Sequence, residues 1–181
     1  MIIGLTGYAQ SGKDTVAKIL VDQFGYTRVA FADKIRDFLY ETNPMFDSIV
    51  GEPVFVKARV DRDGWEKAKQ SPHIRRLLQN SGVAARKVFG EDFWVKQALS
   101  SYTPSDNIVV TDVRFTNEAD YVKGFPNSQL WRVKRVGIDA VNAHVSESQM
   151  DGYKVDQIFT NNGTIEDLEL MVKTRMQGLL V

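Results

Sequence analysis

Apolar positions along this chain fall into short continuous runs separated by longer segments of helical spacing. Residues 1 to 6, MIIGLT, read as a buried strand, and residues 13 to 24 as a helix whose Val16, Ile19, Leu20 and Phe24 share one face before Gly25 stops it. The pattern predicts a second strand over 27 to 32 and a helix over 33 to 41 with Asp33 as its N-cap. Residues 42 to 71 carry Pro44, Gly51, Pro53, Gly64 and many charges, and read as an irregular insertion with one short helix. A basic helix is expected from Pro72 to Phe89, with a break suggested at Ser81 and Gly82, and another helix over 91 to 101. The plainest strand is 107 to 112, NIVVTD, an apolar run ending in a carboxylate. A short helix over 115 to 123, a strand over 129 to 135 and a polar loop over 136 to 154 follow. A last strand over 155 to 160 leads into a helix over 164 to 177, with Ile165, Leu168, Met171 and Val172 on one face. Strands interleaved with helices predict a layered α/β fold with a mainly parallel sheet.

Composition narrows the function classes. The 181 residues suit a single domain, and 23 Lys plus Arg against 23 Asp plus Glu leave no net charge. A protein that coats nucleic acid or anionic lipid needs a strong positive excess, so neither partner is expected. The chain has no cysteine and only His73 and His144, which excludes disulfide scaffolds, thiolate zinc, cysteine nucleophiles and a histidine-rich metal centre. The start MIIGLTG is too short an apolar run for a signal segment, and a cytoplasmic protein is the expectation. Neutrality is nonetheless a sum over unlike regions. Residues 57 to 96 hold ten basic against five acidic side chains, while 147 to 169 hold six acids against one lysine.

The strongest chemical signal is Gly7-Tyr8-Ala9-Gln10-Ser11-Gly12-Lys13-Asp14-Thr15, which fits G-x-x-x-x-G-K between a strand and a helix. Gly7 and Gly12 let successive N–H groups from Ala9, Gln10 and Ser11 converge on phosphate, and the start of the helix adds its positive dipole end. Lys13 supplies a full charge toward the outer phosphates, a nucleoside triphosphate being the natural occupant. Asp14 stands where a hydroxyl would hold Mg²⁺. It either ligates Mg²⁺, directly or through water, or only favours the helix N-terminus, while Thr15 takes over a phosphate contact.

Asp112 ends the apolar strand, where an acid at the carboxyl edge of a parallel sheet faces phosphates through Mg²⁺. Arg114 emerges beside it, toward phosphate or toward Asp112 or Glu118. Arg75, Arg76, Gln79 and Arg86 lie on the basic helix, Arg75 and Gln79 on one face, suited to a phosphate and a base edge or to a solvated surface. Arg132, Lys134 and Arg135 lead into the polar loop, either as positive charge for a mobile cover or as solvated groups. His144, Ser146 and Glu147 suggest a hydrolytic triad, but no G-x-S-x-G elbow accompanies them.

The segments GLTGYAQSGKDTVA, FADKIRDFL, IRRLLQNSGVAARKVFGEDFWV, VVTDVRFTNEAD, HVSES and IFTNNGTIEDL together resemble the phage-type deoxynucleoside monophosphate kinases of the P-loop superfamily. The resemblance implies a three-layer fold with a five-stranded parallel sheet of order 2-3-1-4-5. It also implies a core of 1 to 32 and 96 to 181, an NMP-binding insertion over about 33 to 95 and a short lid over about 136 to 150. ATP phosphates would lie on Gly7 to Thr15 with Arg132 and Arg135, and the adenine beside Asn161, Asn162 and Gly163. A deoxynucleoside monophosphate would be held by Arg75, Arg76, Gln79 and Arg86, with Lys34 and Arg36 joining the acceptor site or merely lining an amphipathic helix. Phe31, Trp65, Phe93 and Trp94 are aromatics that either stack on the base or fill the core. A kinase of another phosphorylated acceptor, of the dephospho-coenzyme A or phosphomevalonate type, is the enzymatic rival. A nucleotide-binding switch or motor ATPase is the rival from another class. A homodimer is left open.

Overall fold

The chain begins with β1 (Ile2–Thr6), α1 (Lys13–Phe24) and β2 (Thr27–Val29). It continues through α2 (Phe31–Thr42), β3 (Met45–Asp47), β4 (Pro53–Phe55), α3 (Val56–Ala68), α4 (Pro72–Phe89) and α5 (Phe93–Leu99). It closes with β5 (Ile108–Val110), α6 (Thr116–Lys123), β6 (Gln129–Lys134), β7 (Gln157–Thr160) and α7 (Ile165–Leu179). The structure is a computed structural model that describes residues 1–47, 53–138 and 149–179. Two units emerge, Met1–Ala30 with Ser101–Val181, and Phe31–Ser100.

In the first unit, β1 is buried throughout and pairs in parallel with β5 on one side and β6 on the other. That double burial explains its unbroken apolar sequence, because a strand covered on both faces cannot alternate. The full order is β2-β5-β1-β6-β7, all parallel. It differs in label from the expected 2-3-1-4-5 because the antiparallel hairpin of β3 and β4 intervenes in the chain and forms a separate two-stranded sheet. Ile3, Leu5, Val16, Leu20, Trp131, Val133, Phe159, Leu168 and Val172 make the core between the sheet, α1 and α7. No helix among the described residues is long and apolar enough to cross a membrane.

The second unit departs most from the sequence pattern. Residues 53 to 68 are not irregular but form β4 and the 13-residue helix α3, bent where Gly64 takes φ 72°. Val56, Val60 and Ala68 of α3 join Leu39 and Ile74 in a second core, so three buried apolar positions in this helix suffice despite the charges between them. The helix α4 runs unbroken through Ser81 and Gly82. At Gly82 an added Cβ would lie 3.2 Å from the Ile35 side chain, so the glycine serves close packing of α2 rather than a break. The helix α2 starts at Phe31, so the second strand stops at Val29 and Asp33 sits in the first turn, where it holds Arg36 at 3.2 Å instead of capping. The lid expected over 136 to 150 and the set His144, Ser146 and Glu147 fall mainly or wholly on residues 139–148, outside the described residues.

Candidate active site

The carboxyl ends of β1, β5 and β6 set the site. Gly4 pairs with Val110, and Thr6 pairs with Arg132. The residues that follow these strands, Gly7 to Lys13, Asp112 to Arg114 and Val133 to Arg135, therefore emerge at one sheet edge. Gly7 (φ 138°) and Gly12 (φ 109°) adopt backbone that only glycine takes readily. A Cβ at Gly7 would run into the Val133 carbonyl, and one at Gly12 into the Asn161 side-chain amide. Both glycines are required by close backbone approach as well as by φ. The ammonium of Lys13 donates to the carbonyls of Gly7 and Tyr8, each at 2.7 Å, which folds the side chain over the loop.

A cleft of about 460 Å³ opens against this loop, lined by Gly7, Tyr8, Ala9, Ser11 and Lys13, and on the facing side by Arg114, Arg132, Lys134, Arg135, Ile138 and Asp151. Five cationic side chains against the single carboxylate of Asp151 give the concentrated positive charge that a neutral chain conceals. The Ser11 hydroxyl is buried in the loop with no hydrogen-bond partner, as suits a donor meant for a ligand oxygen. Arg114 is exposed and lines the cleft. Glu118 accepts the backbone N–H groups of Arg114 (2.8 Å) and Phe115 (3.1 Å), fixing the turn that presents the Arg114 side chain.

Other expected residues stand elsewhere. Gln10, Gly12, Asp14, Thr15 and Asp112 border the loop or the sheet edge without lining the cleft. Asn161 donates to the Ser11 carbonyl at 2.9 Å, and Asn162 accepts the Val136 N–H at 2.9 Å, so both buttress the walls. Gly163 has the Asp167 carboxylate where a Cβ would be. Arg132 is 8 % exposed, and its guanidinium donates to the carbonyls of Met150, Asp151 (3.1 Å) and Tyr153 (3.0 Å). These carbonyls engage the guanidinium of a residue expected at the ATP phosphates, and Arg132 still lines the cleft. The Tyr153 hydroxyl donates to Asp120, and burial together with that carboxylate pushes its phenol up to about 12.

In the second unit Arg75, Arg76 and Gln79 are exposed along α4, and Arg86 is half-buried on the same helix. Lys34 pairs with Asp37 at 3.5 Å, and Arg36 with Asp33 (3.2 Å) and Glu66 (3.6 Å), the interactions of a charged helix face. Phe31 and Trp94 are buried; the Trp94 indole donates to the Gly82 carbonyl at 3.0 Å and packs edge-on against Phe38 and Phe93. Sequence reasoning passed over Tyr8 and Asp151 as participants. Their hydroxyl and carboxylate meet 143 positions apart, at 2.8 Å, and no local pattern announces such a pairing.

A parallel sheet whose central strand feeds a glycine-rich loop, a lysine and a cationic cleft defines a P-loop phosphate-binding protein. The sequence profile described as deoxynucleotide monophosphate kinase matches residues 58–172. A protein of Acanthamoeba polyphaga mimivirus that carries the same family name is 31 % identical over 179 residues, spanning 92 % of this chain and 91 % of its own. The deoxynucleotide monophosphate kinase of Escherichia phage RB69 is 29 % identical over 101 residues, 52 % of this chain and 41 % of its own. The chain belongs to the deoxynucleotide monophosphate kinase family. Among solved structures it is similar to shikimate kinase from Aquifex aeolicus (TM-score 0.48, 13 % identity, 98 % of this chain and 97 % of that one). It is also similar to the APS kinase of Mycobacterium tuberculosis (TM-score 0.44, 12 % identity, 97 % and 96 %).

Proposed function

We propose that this protein transfers the γ-phosphoryl group of ATP to the 5′-phosphate of a deoxynucleoside monophosphate, giving ADP and the diphosphate. The observation that carries this reading is the cleft in which Lys13 and four arginine or lysine side chains face the glycine loop. In the proposed reaction an acceptor phosphate oxygen attacks the γ-phosphorus and the bond to the β-phosphate bridging oxygen breaks. The acceptor's second pKa is about 6, so it arrives largely dianionic and needs no general base. The task left to the protein is to align two polyanions and screen their repulsion. Lys13 moves from the Gly7 and Tyr8 carbonyls to the donor phosphates, the Ser11 hydroxyl and the loop N–H groups hold them, and Arg114 and Arg135 neutralise charge on the transferring group.

Asp14, exposed in the first turn of α1, and Asp112, beyond β5, offer hard carboxylate oxygens that suit a small divalent cation completed by water and phosphate. These two carboxylates would hold Mg²⁺, which would supply positive charge against the phosphates. Arg75, Arg76, Gln79 and Arg86 are assigned to the acceptor, and Phe31–Ser100 to the NMP-binding insertion. Lys34 and Arg36 remain secondary candidates, because their partners are already carboxylates of the same unit. The test is ADP release with ATP, Mg²⁺ and each deoxynucleoside monophosphate in turn. Turnover well above the rate with water alone is expected for at least one of them, and equal rates throughout would sink the assignment.

A further inference from the structure

Three residues at one wall of the cleft are tied to each other more firmly than the chemistry of phosphate binding requires. Arg132 on β6 spends its guanidinium on the carbonyls of Met150, Asp151 and Tyr153, and is 8 % exposed. The Asp151 carboxylate accepts the Tyr8 hydroxyl, 2.8 Å from each of its oxygens. The Tyr8 carbonyl in turn accepts the Lys13 ammonium at 2.7 Å and the Ser11 N–H at 3.2 Å. A continuous path of hydrogen bonds thus runs from β6 through the turn at 150–153 to the residue that holds Lys13. Met150, Asp151, Arg132 and Tyr8 all line the cleft.

We propose that Arg132, Asp151 and Tyr8 form a positioning unit for the phosphoryl donor: Arg132 seats the 150–153 turn on β6, and Tyr8 ties that turn to the glycine loop. The inference rests on the reading of this cleft as the ATP site. Arg132 acts through the turn and not on phosphate. A guanidinium can hold three carbonyls at once because its five N–H groups point in fixed in-plane directions, whereas an ammonium is a point charge on a flexible stem. The unit sets the spacing between the glycine loop and the far wall, so loosening it lowers donor affinity and leaves the acceptor site on the other unit unaffected.

The design of the test follows from that difference between arginine and lysine. Steady-state KM is measured for ATP and for the monophosphate the wild type turns over fastest, with ATP Kd by calorimetry and a thermal melt for each variant. Tyr8→Phe keeps the ring and removes only the hydroxyl; it should raise ATP KM three- to tenfold, with the acceptor KM within twofold of wild type. Arg132→Lys keeps the charge and should raise ATP KM at least as much, and combining it with Tyr8→Phe should add no more than twofold. Asp151→Ala should match Tyr8→Phe, whereas Asp151→Asn, which keeps an acceptor, should stay near wild type. Arg132→Lys with wild-type ATP KM would show direct contact with phosphate and overturn the proposal, as would an unchanged ATP KM in Tyr8→Phe or effects that multiply. If Arg132→Lys does not fold, the Tyr8 and Asp151 variants carry the same decision. Wild-type protein that turns over no monophosphate would refute the proposed reaction instead, and the ATP Kd ratios of the variants would still decide the positioning unit.

Discussion

Lys13 illustrates how much a single side chain is asked to do. Its ammonium rests on two carbonyls of its own loop, so the free protein already satisfies the charge locally, and a polyphosphate has to offer more than those two dipoles. Lys13→Ala should lower kcat by about 10²- to 10³-fold, the usual effect of deleting one charge-stabilising donor, with the melting temperature close to wild type. Near-native kcat would refute the donor-site assignment. The G-x-x-x-x-G-K spacing between a strand and a helix marked Gly7, Gly12 and Lys13 in the sequence. Residue identity could not distinguish Arg132 from Arg114. Both are arginines near strand ends that line the cleft, and only the burial of Arg132 and the exposure of Arg114 reveal that the first is engaged by carbonyls.

Among the elements, α7 shows how a boundary is fixed. Thr164 and Asp167 exchange bonds, the Thr164 N–H donating to the carboxylate at 2.9 Å and the Asp167 N–H to the hydroxyl at 3.2 Å, which closes a reciprocal cap just before Ile165. Thr164→Ala should cost about 1 kcal/mol of stability, read by denaturant unfolding. This matters for the site because α7 packs Leu168 and Val172 into the core beneath the loop, next to Phe159. Strongly periodic or unbroken apolar segments such as β1 and α1 were legible in the sequence. The hairpin of β3 and β4 was not, since three-residue strands leave no periodicity, and α3 hid behind its charges and Gly64. In α4 the misreading ran the other way, because a glycine that admits Ile35 looks, without the neighbouring helix, like a terminator.

At the scale of the molecule, zero net charge coexists with a cleft of five cations, and both statements bear on activity. Arg75→Ala should raise the acceptor KM about tenfold while ATP KM stays within twofold; a change confined to ATP would mean the acceptor site has been misplaced. A pH profile of kcat/KM for the acceptor should fall below about pH 6, tracking protonation of the substrate phosphate rather than of any protein group. A limb that shifts with the acceptor's own pKa supports this, and one insensitive to it points to a protein acid or base. The sheet order has a different consequence, for how the chain folds. β2 and β5 are parallel neighbours, Thr27 opposite Ile108, yet the whole unit Phe31–Ser100 lies between them in sequence. Closing a longer loop costs only about 0.6 kcal/mol per doubling of its length, so the detour is thermodynamically mild. Its burden is kinetic: contacts so distant in sequence form slowly, and the β2 edge of the sheet is expected to lock in late, after the intervening segment has collapsed and shortened the effective loop.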